Sequence, residues 1–555
     1  MPVVTFARRD LCRLIGRDFP LAELATRMPL LGGDLDGTDG DSITIEWFPN
    51  RPDLLMLEGT GRALRAFLDV KPGLPSYKVA PAKTELRVDP SVQAVRPYAA
   101  LCFVRGVPID APYVEVIIAA QEKLTFSPGR KRRKVAIGVH DASGLTGPFS
   151  YTVVGPTDKP FVPLATARMM TPGQVVAEHP KGKEYAHLLP AGKFPVFLDG
   201  KGEVLSLPPI INAARTAVTA ATRDLLLDVT GTDLKAVKQT IALLATCFAE
   251  RGGAIEAVTV HDKSGTWSCP DLKPSEHVLH TDDIAALLGL AWTGADVAQC
   301  LRRLGHDADA YDNKVHVKVG AWRQDILHAV DLIEDVGIGH GFGSFPGSLP
   351  TTVTFGKALA HQGLEDALRA ALVGHGFWEA KTLTLSNPAD QFTHLGTPAG
   401  KAVLVANPVL EEQTLLRRRL LPSLLRVLAA NKHRSLPQRL FEAGQVIESD
   451  AAGTWRNRLR LAVVEASAKA GFADAKGLAE ALLRDAGLKA TMEPGTDPAF
   501  VAGRQGRIVA GGRAVGVFGE LHPDTLVAFG LSAPAVALEL ELEPFLATAP
   551  ATKTK

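Results

Sequence analysis

Between Asp325 and Asp335 the chain reads DILHAVDLIED, which sets four carboxylates, Asp325, Asp331, Glu334 and Asp335, into a run otherwise rich in Ile, Leu and Val. On a helix, Asp331, Glu334 and Asp335 share one face, and Asp325 lies just upstream, where the first turn would begin. One or two acids near a helix N-terminus are explained by capping and by the dipole. Three on one face suggest a bound cation instead. A second cluster, GRKRRK, gathers Arg130, Lys131, Arg132, Arg133 and Lys134 ahead of the apolar run VAIGV. Such a run is either a solvated face or a surface for phosphates.

The rest of the chain must position these groups. At 555 residues it exceeds one core, and about 150 residues per domain gives roughly three to five units. Lys plus Arg number 61 and Asp plus Glu 60, so no global charge points to nucleic acid or membrane, and any basic surface must be local. The five cysteines form no CxxC pair, which excludes a zinc ribbon and a disulfide framework and predicts reduced thiols in a cytoplasmic protein. Arg8, Arg9 and Asp10 interrupt the N-terminal apolar pattern, and no uncharged apolar run reaches the length of a membrane span.

The pattern predicts an α+β multidomain protein. Residues 1–75 form an N-terminal α+β domain: SITIEW alternates as a strand, Asn50 to Pro52 make a turn with Asp53 as a helix cap, and an amphipathic helix comes next. Residues 79–267 alternate short apolar runs with turns and contain two helical stretches, an α+β domain with a substantial sheet in which DGKG is a hairpin turn. Residues 275–349 hold a winged-helix-like module and the acidic helix. Thr281 is the expected N-cap of its first helix, and Thr293 with Asp296 forms a capping box before the second. Residues 351–548 read as one large antiparallel sheet with helices, and the closing TKTK as disordered.

Six segments in order, NRPDLLMLEGTGRALRAFL, GRKRRKVAIGVHD, LSLPPIINAARTAVTAATRDLLLDVTGTD, DILHAVDLIEDVGIGHGF, NPVLEEQTLLRRRLLPSLLRVLAANKH and FGELHP, resemble the beta subunits of phenylalanyl-tRNA synthetases of the archaeal and eukaryotic type. The resemblance covers nearly the whole chain. It implies an alpha2 beta2 heterotetramer in which the alpha subunit uses ATP to join phenylalanine to tRNA(Phe), while the beta subunit supports it and proofreads. For the acids, it implies magnesium held by Asp325, Asp331, Glu334 and Asp335 at the contact with the alpha subunit, through one or two direct carboxylates and several waters. The competing reading is a helix with an acidic first turn, paired with Arg323 or with the partner subunit.

Physics supplies a reason for proofreading. A hydrophobic pocket that accepts phenylalanine rejects the same ring bearing a hydroxyl by only about 100-fold, so a second site must read the hydroxyl by hydrogen bonds. The resemblance places that site in residues 79–267, with Gln121, Arg133, Ser206, Asn212 and Asp228 in its pocket. The alternative makes Ser206 and Asn212 turn residues and Asp228 a cap. No Ser-His-Asp or Cys-His nucleophile arrangement is legible, His140 reads equally as a sheet residue or a base, and a positioned water is the expected attacker. With an RNA partner implied, Arg130, Lys131, Arg132 and Lys134 become candidates for its phosphates. In the last domain, which resembles a class II synthetase core, Glu448 stands where an arginine would bind the ATP phosphate, and no arginine follows Arg513 to stack on adenine; ATP is therefore expected on the alpha subunit and not on this chain. Two other readings compete: a scaffold whose pocket has decayed, and a lone nucleic-acid-binding protein using the winged module, although Arg302 and Arg303 are the only obvious basic pair on its helices.

Overall fold

The computed structural model describes residues 2–349, 354–450 and 452–546. They fall into two compact units, Met1–Ser348 and Leu349–Lys555. Both mix helices with sheets, as the alternation of periodicities required. The expected boundary at 351 and the closing TKTK lie outside the described residues.

The first unit opens with a three-stranded sheet in the order Val3–Ala7, Ser42–Trp47, Gly33–Asp39. Ser42–Trp47 buries every second side chain, the signature of a strand with one face on a core. Helix Leu57–Phe67 comes next, but Asp53 does not cap it: the N-cap is Met56, without a side-chain bond. Asp53 is instead buried and receives both arms of Arg51, at 2.9 and 2.8 Å, because a carboxylate sealed from water needs a counter-charge more than a helix needs a cap.

Two further sheets complete the middle of the unit. The five-stranded one runs Val79–Ala80, Ala254–Glu256, Tyr98–Arg105, Leu225–Gly231, Val135–Asp141. Leu225–Gly231 is buried at all seven positions, including the polar Asp228 and Thr230. The seven-stranded sheet runs from Ile211–Asn212 through Val204–Leu207, Phe194–Leu198, Phe149–Val154, Glu85–Val88 and Val258–Asp262 to Gly265–Cys269. DGKG lies in the connection between the antiparallel strands Phe194–Leu198 and Val204–Leu207, as expected. One continuous apolar core runs from Val4 in the opening sheet through these two sheets to Trp322, so residues 1–75 share their interior with both of them.

The remaining module of the first unit is a sheet, Ser275–His280, Lys314–Val319, Asp307–Tyr311, packed with helices Thr281–Leu288, Gly294–Arg303 and Ala329–His340. The Thr293 and Asp296 capping box is formed. Thr281 is not a cap: the helix starts on it, after His280, and its hydroxyl donates to the Asn313 carbonyl at 3.4 Å.

The second unit is organised by a seven-stranded sheet, Trp378–Glu379, Gln438–Ser449, Trp455–Ala466, Ala535–Glu541, Arg513–Leu521, Phe500–Ala510, Thr491–Pro494. All its pairings are antiparallel except that of the short Trp378–Glu379 strand. One core on each face covers it, including helices Phe472–Asp485 and Leu421–Ala430 respectively.

Candidate functional site

In the first unit, a cavity of about 450 Å³ lies between helix Ala111–Phe126, the edge strand Val135–Asp141 and the end of the seven-stranded sheet. Its walls are mostly apolar, including Val114, Ile117, Ile137, Val139, Leu164 and Ile210. Four of the five residues assigned to a pocket from sequence line it: Gln121, Ser206, Asn212 and Asp228. Antiparallel pairing puts Ser206 directly opposite Asn212. Gln121 and Asn212 each donate a long hydrogen bond to the neighbouring strand, to Ile137 O at 3.5 Å and Val139 O at 3.4 Å.

Arg133 does not belong to this set. Its side chain is exposed, and its neighbour Arg132 enters the wall. The reason is local backbone geometry: Arg130, Lys131 and Arg132 all have positive φ (50, 51 and 66°), a left-handed turn that inverts the side-chain directions expected of a plain loop. The Arg132 guanidinium donates to Pro209 O (3.1 Å), Ile210 O (2.8 Å) and Glu122 (3.0 Å), and lies over the Tyr185 ring. It therefore braces the pocket wall. Lys134 pairs with Asp233 at 3.3 Å. Among the described residues, Arg130, Lys131 and Arg133 have no ion-pair partner, and these three are the cations available to an anion outside.

Asp228 sits mid-strand, which does not fit the alternative reading as a cap, and is buried. Its place is made by Gly138, directly opposite on the edge strand: a Cβ there would lie 2.6 Å from Asp228 Oδ2. Ser206 Oγ donates to that same oxygen at 2.8 Å, and His140 Nε2 lies 2.8 Å from it. The charge that faces it across the interior is Arg96. This guanidinium is buried, donates to Thr230 Oγ1 and O at 2.8 and 2.7 Å and to Arg133 O at 3.3 Å, and touches no carboxylate. Burial pushes it down to about 10, against the opposing fields of Tyr151 and Asp228. An apolar cavity with an acceptor carboxylate, a hydroxyl and two amides can hold a ring that carries a hydrogen-bonding group. Ser206 and His140 both bond to Asp228 and not to each other, so Ser206 has no base; the hydroxyl in contact with His140 is that of Thr216, 2.8 Å from Nδ1.

The acidic cluster is split in its roles. Asp325 takes both arms of Arg323, at 2.9 and 2.7 Å, and Asp335 Oδ2 is shared by Arg323 and His306, each at 2.7 Å. Asp331 accepts the backbone N–H groups of Leu327 and His328. Arg323 is thus the counter-charge that the helical spacing of the acids does not reveal, and Asp335 is turned into the core. Glu334 remains exposed; partial burial and then Asp335, Asp331 and Asp325 raise its carboxyl above the usual range. Among the described residues, no three ligand groups converge into a closed metal shell. The all-oxygen donor set and the excess negative field at Glu334 nevertheless fit a hydrated divalent cation, which needs only one or two direct carboxylates.

In the second unit, a cavity of about 370 Å³ is lined by residues of the sheet, among them Glu448, Arg460, Val517 and Glu539. Glu448 accepts from Arg460 at 2.6 Å, and Arg419 is divided between Glu539 (2.8 Å) and Asp497 (3.0 Å). Two of the three arginines that line it, Arg419 and Arg460, are thus occupied by carboxylates of the same chain, whereas Arg418 lies over the Phe392 ring, and the lining keeps Glu541 as well.

Comparison with known proteins gives a consistent result. A family model described as the phenylalanyl tRNA synthetase beta chain CLM domain matches residues 345–542, and one described as the tRNA synthetase B5 domain matches 277–342. The chain is 38% identical to the phenylalanine-tRNA ligase beta subunit of Methanothrix thermoacetophila over 98% of its own length and 100% of that protein's. It is 39% identical to that of Archaeoglobus fulgidus over 99% of both. Among solved structures, an N-terminal fragment of the phenylalanyl-tRNA synthetase beta subunit from Pyrococcus horikoshii aligns with a TM-score of 0.59 and 34% identity, covering 61% of this chain and 100% of the fragment.

Proposed function

The chain belongs to the family of phenylalanine-tRNA ligase beta subunits, and from that premise we propose that it hydrolyses tyrosine wrongly attached to tRNA(Phe), in the cavity around Asp228. It serves the ligation of phenylalanine to tRNA as one part of a ligase whose other part is an alpha subunit. The observation that carries the editing reading is the placement of Asp228 and Ser206 together in the wall of a mostly apolar cavity. A phenol hydroxyl entering it meets a carboxylate acceptor, whereas the bare ring of phenylalanine leaves that buried acceptor unpaired, and this penalty is what makes a polar site selective. Gln121 and Asn212, whose bonds to backbone carbonyls are long, supply polar groups to the rest of the aminoacyl ester. The attacking group is a water oriented by these side chains and by the RNA.

Arg130, Lys131 and Arg133 meet the phosphates of the acceptor end. The second unit pairs with the alpha subunit in an alpha2 beta2 assembly: its Trp378, Leu404 and Val409 are 78%, 69% and 97% exposed, a cost that a partner surface would remove. ATP is left to the alpha subunit, because the cavity over the sheet would confront its phosphates with Glu448, Glu539, Glu541 and Asp497. Magnesium would be held by Glu334 and Asp331, with Asp325 and Asp335 fixed behind them by Arg323, and would neutralise the acids at the subunit contact; its chelation should then loosen the two-chain complex.

The reading is tested by letting the reconstituted ligase charge tRNA(Phe) with tyrosine. With Asp228→Asn, tyrosyl-tRNA should accumulate while phenylalanine charging keeps its wild-type rate. If neither the wild type nor the variant accumulates it, or both do equally, the pocket does not edit and the chain is a scaffold.

A further inference from the structure

His140 is wholly buried and does not line the cavity, yet both its ring nitrogens are engaged. Nε2 lies 2.8 Å from Asp228 Oδ2, and Nδ1 lies 2.8 Å from Thr216 Oγ1. The Thr216 hydroxyl has one proton and two acceptors in reach, Nδ1 at 2.8 Å and the Ala213 carbonyl at 3.2 Å. Donation to the nearer one leaves the imidazole proton on Nε2, where it meets the carboxylate. The opposite tautomer would set a lone pair against a carboxylate oxygen. The strand register explains the contact: His140 and Gly138 lie on the face of the edge strand that carries Leu226 and Asp228 on its neighbour, and the missing Cβ at Gly138 lets the carboxylate lean diagonally onto the ring.

Two donors, Ser206 Oγ and His140 Nε2, therefore end on one oxygen of Asp228. They fix the rotation of the carboxylate and leave Oδ1 as the acceptor for whatever enters the cavity. Ser206 is a pocket residue and could turn toward a ligand. His140 cannot, because it is locked at both ends in the interior. We propose that His140, held by Thr216, is a positioning residue that orients the Asp228 carboxylate and so sets the preference of the pocket for a phenol over a bare ring; this rests on the editing reading above.

The test uses the reconstituted two-chain ligase and measures kcat and KM for deacylation of tyrosyl- and phenylalanyl-tRNA(Phe). His140→Gln removes the ring, and Thr216→Val removes the far hydroxyl without changing the side-chain shape. Each should raise KM for the tyrosyl substrate about tenfold, the loss expected from misplacing one hydrogen bond, with kcat little changed. Thr216→Ser should restore the wild-type value to within about twofold. Because both residues act through Asp228, the double variant should lose no more than the worse single one. Because Thr216 also lines the cavity, the double variant decides, and if His140→Gln folds poorly His140→Asn takes its place in it. Wild-type tyrosine preference in Thr216→Val and His140→Gln, beside its loss in Asp228→Asn, would overturn the proposal, and so would losses that multiply in the double variant. A wild-type enzyme that leaves the tyrosyl-tRNA intact is a different failure, that of the editing reading, and takes this proposal with it.

Discussion

Asp228 has room in the sheet only because residue 138 has no side chain. Gly138→Ala places a methyl 2.6 Å from Oδ2, with the strand on one side and the carboxylate on the other. Overpacking of this kind costs about 1–3 kcal/mol, and here the carboxylate is the group able to move. Gly138→Ala should therefore lower tyrosyl-tRNA deacylation at least tenfold, while thermal unfolding shifts only modestly. Retained deacylation would mean that the position of Asp228 is unimportant. Elsewhere in the first unit, burial raises the Glu58 carboxyl, which lies 3.4 Å from Arg251. Since its native value stands above 4.5, the contribution of Glu58 to stability is greatest below pH 4.5 and is lost as pH rises through the native value. Glu58→Gln should raise the unfolding temperature by roughly 2 °C or more at pH 8, and the gain should vanish near pH 4. Scanning calorimetry at the two pH values checks both parts, and an equal gain at both would show that the charge of Glu58 is not the cause. At this scale the sequence revealed residue types better than partners. Ser206, Asn212, Gln121 and Asp228 were readable through the family resemblance. His140 was readable only as either a sheet residue or a base, and Arg96 was not readable at all, because their partners come from strand pairing and not from spacing along the chain. A Gly two residues before a buried His in GVHD is the one local hint.

Among elements, the turn after helix Ala111–Phe126 departs furthest from what composition suggests. A run of five cations reads as uniform, yet three consecutive left-handed residues divide it into Arg132, facing the pocket, and Arg130, Lys131 and Arg133, facing outward. Each left-handed non-glycine residue costs about 1–2 kcal/mol, a strain the fold sustains. Lys131→Gly removes one share of that strain and one outward charge together. Stability should stay level or rise by up to about 1 kcal/mol. The slope of log affinity for tRNA against log salt should shrink by about 0.7–0.9. Filter binding over a salt series measures the slope, and an unchanged slope would remove this turn from the RNA interface. The same lesson holds at the acidic helix. Its periodicity was correct, but the i, i+3, i+4 pattern could not reveal that Arg323 and His306 would draw Asp335 inward and leave Glu334 outside. Periodicity likewise located the Thr293 capping box and misjudged Thr281, because Ser, Thr and Asp near a helix start look alike until the first turn is built.

For the whole molecule, nearly balanced charge and scattered cysteines restricted the function less than the order of motifs did. The α+β class and the large antiparallel sheet of the second unit were legible from periodicity. The core that residues 1–75 share with the two larger sheets of the first unit was not, since it is made by contacts between residues far apart in sequence. In the proposed division of labour, a pocket in the first unit removes errors and a surface of the second receives the alpha subunit. A scaffold would need only the surface. Deacylation of preformed tyrosyl-tRNA(Phe) by the reconstituted complex, with phenylalanyl-tRNA(Phe) as control, separates the two most directly. The account predicts rapid release of tyrosine, slow release of phenylalanine, and loss of the difference in Asp228→Asn and Asn212→Ala. Tyrosyl-tRNA as long-lived with the wild-type complex as without it would contradict the account.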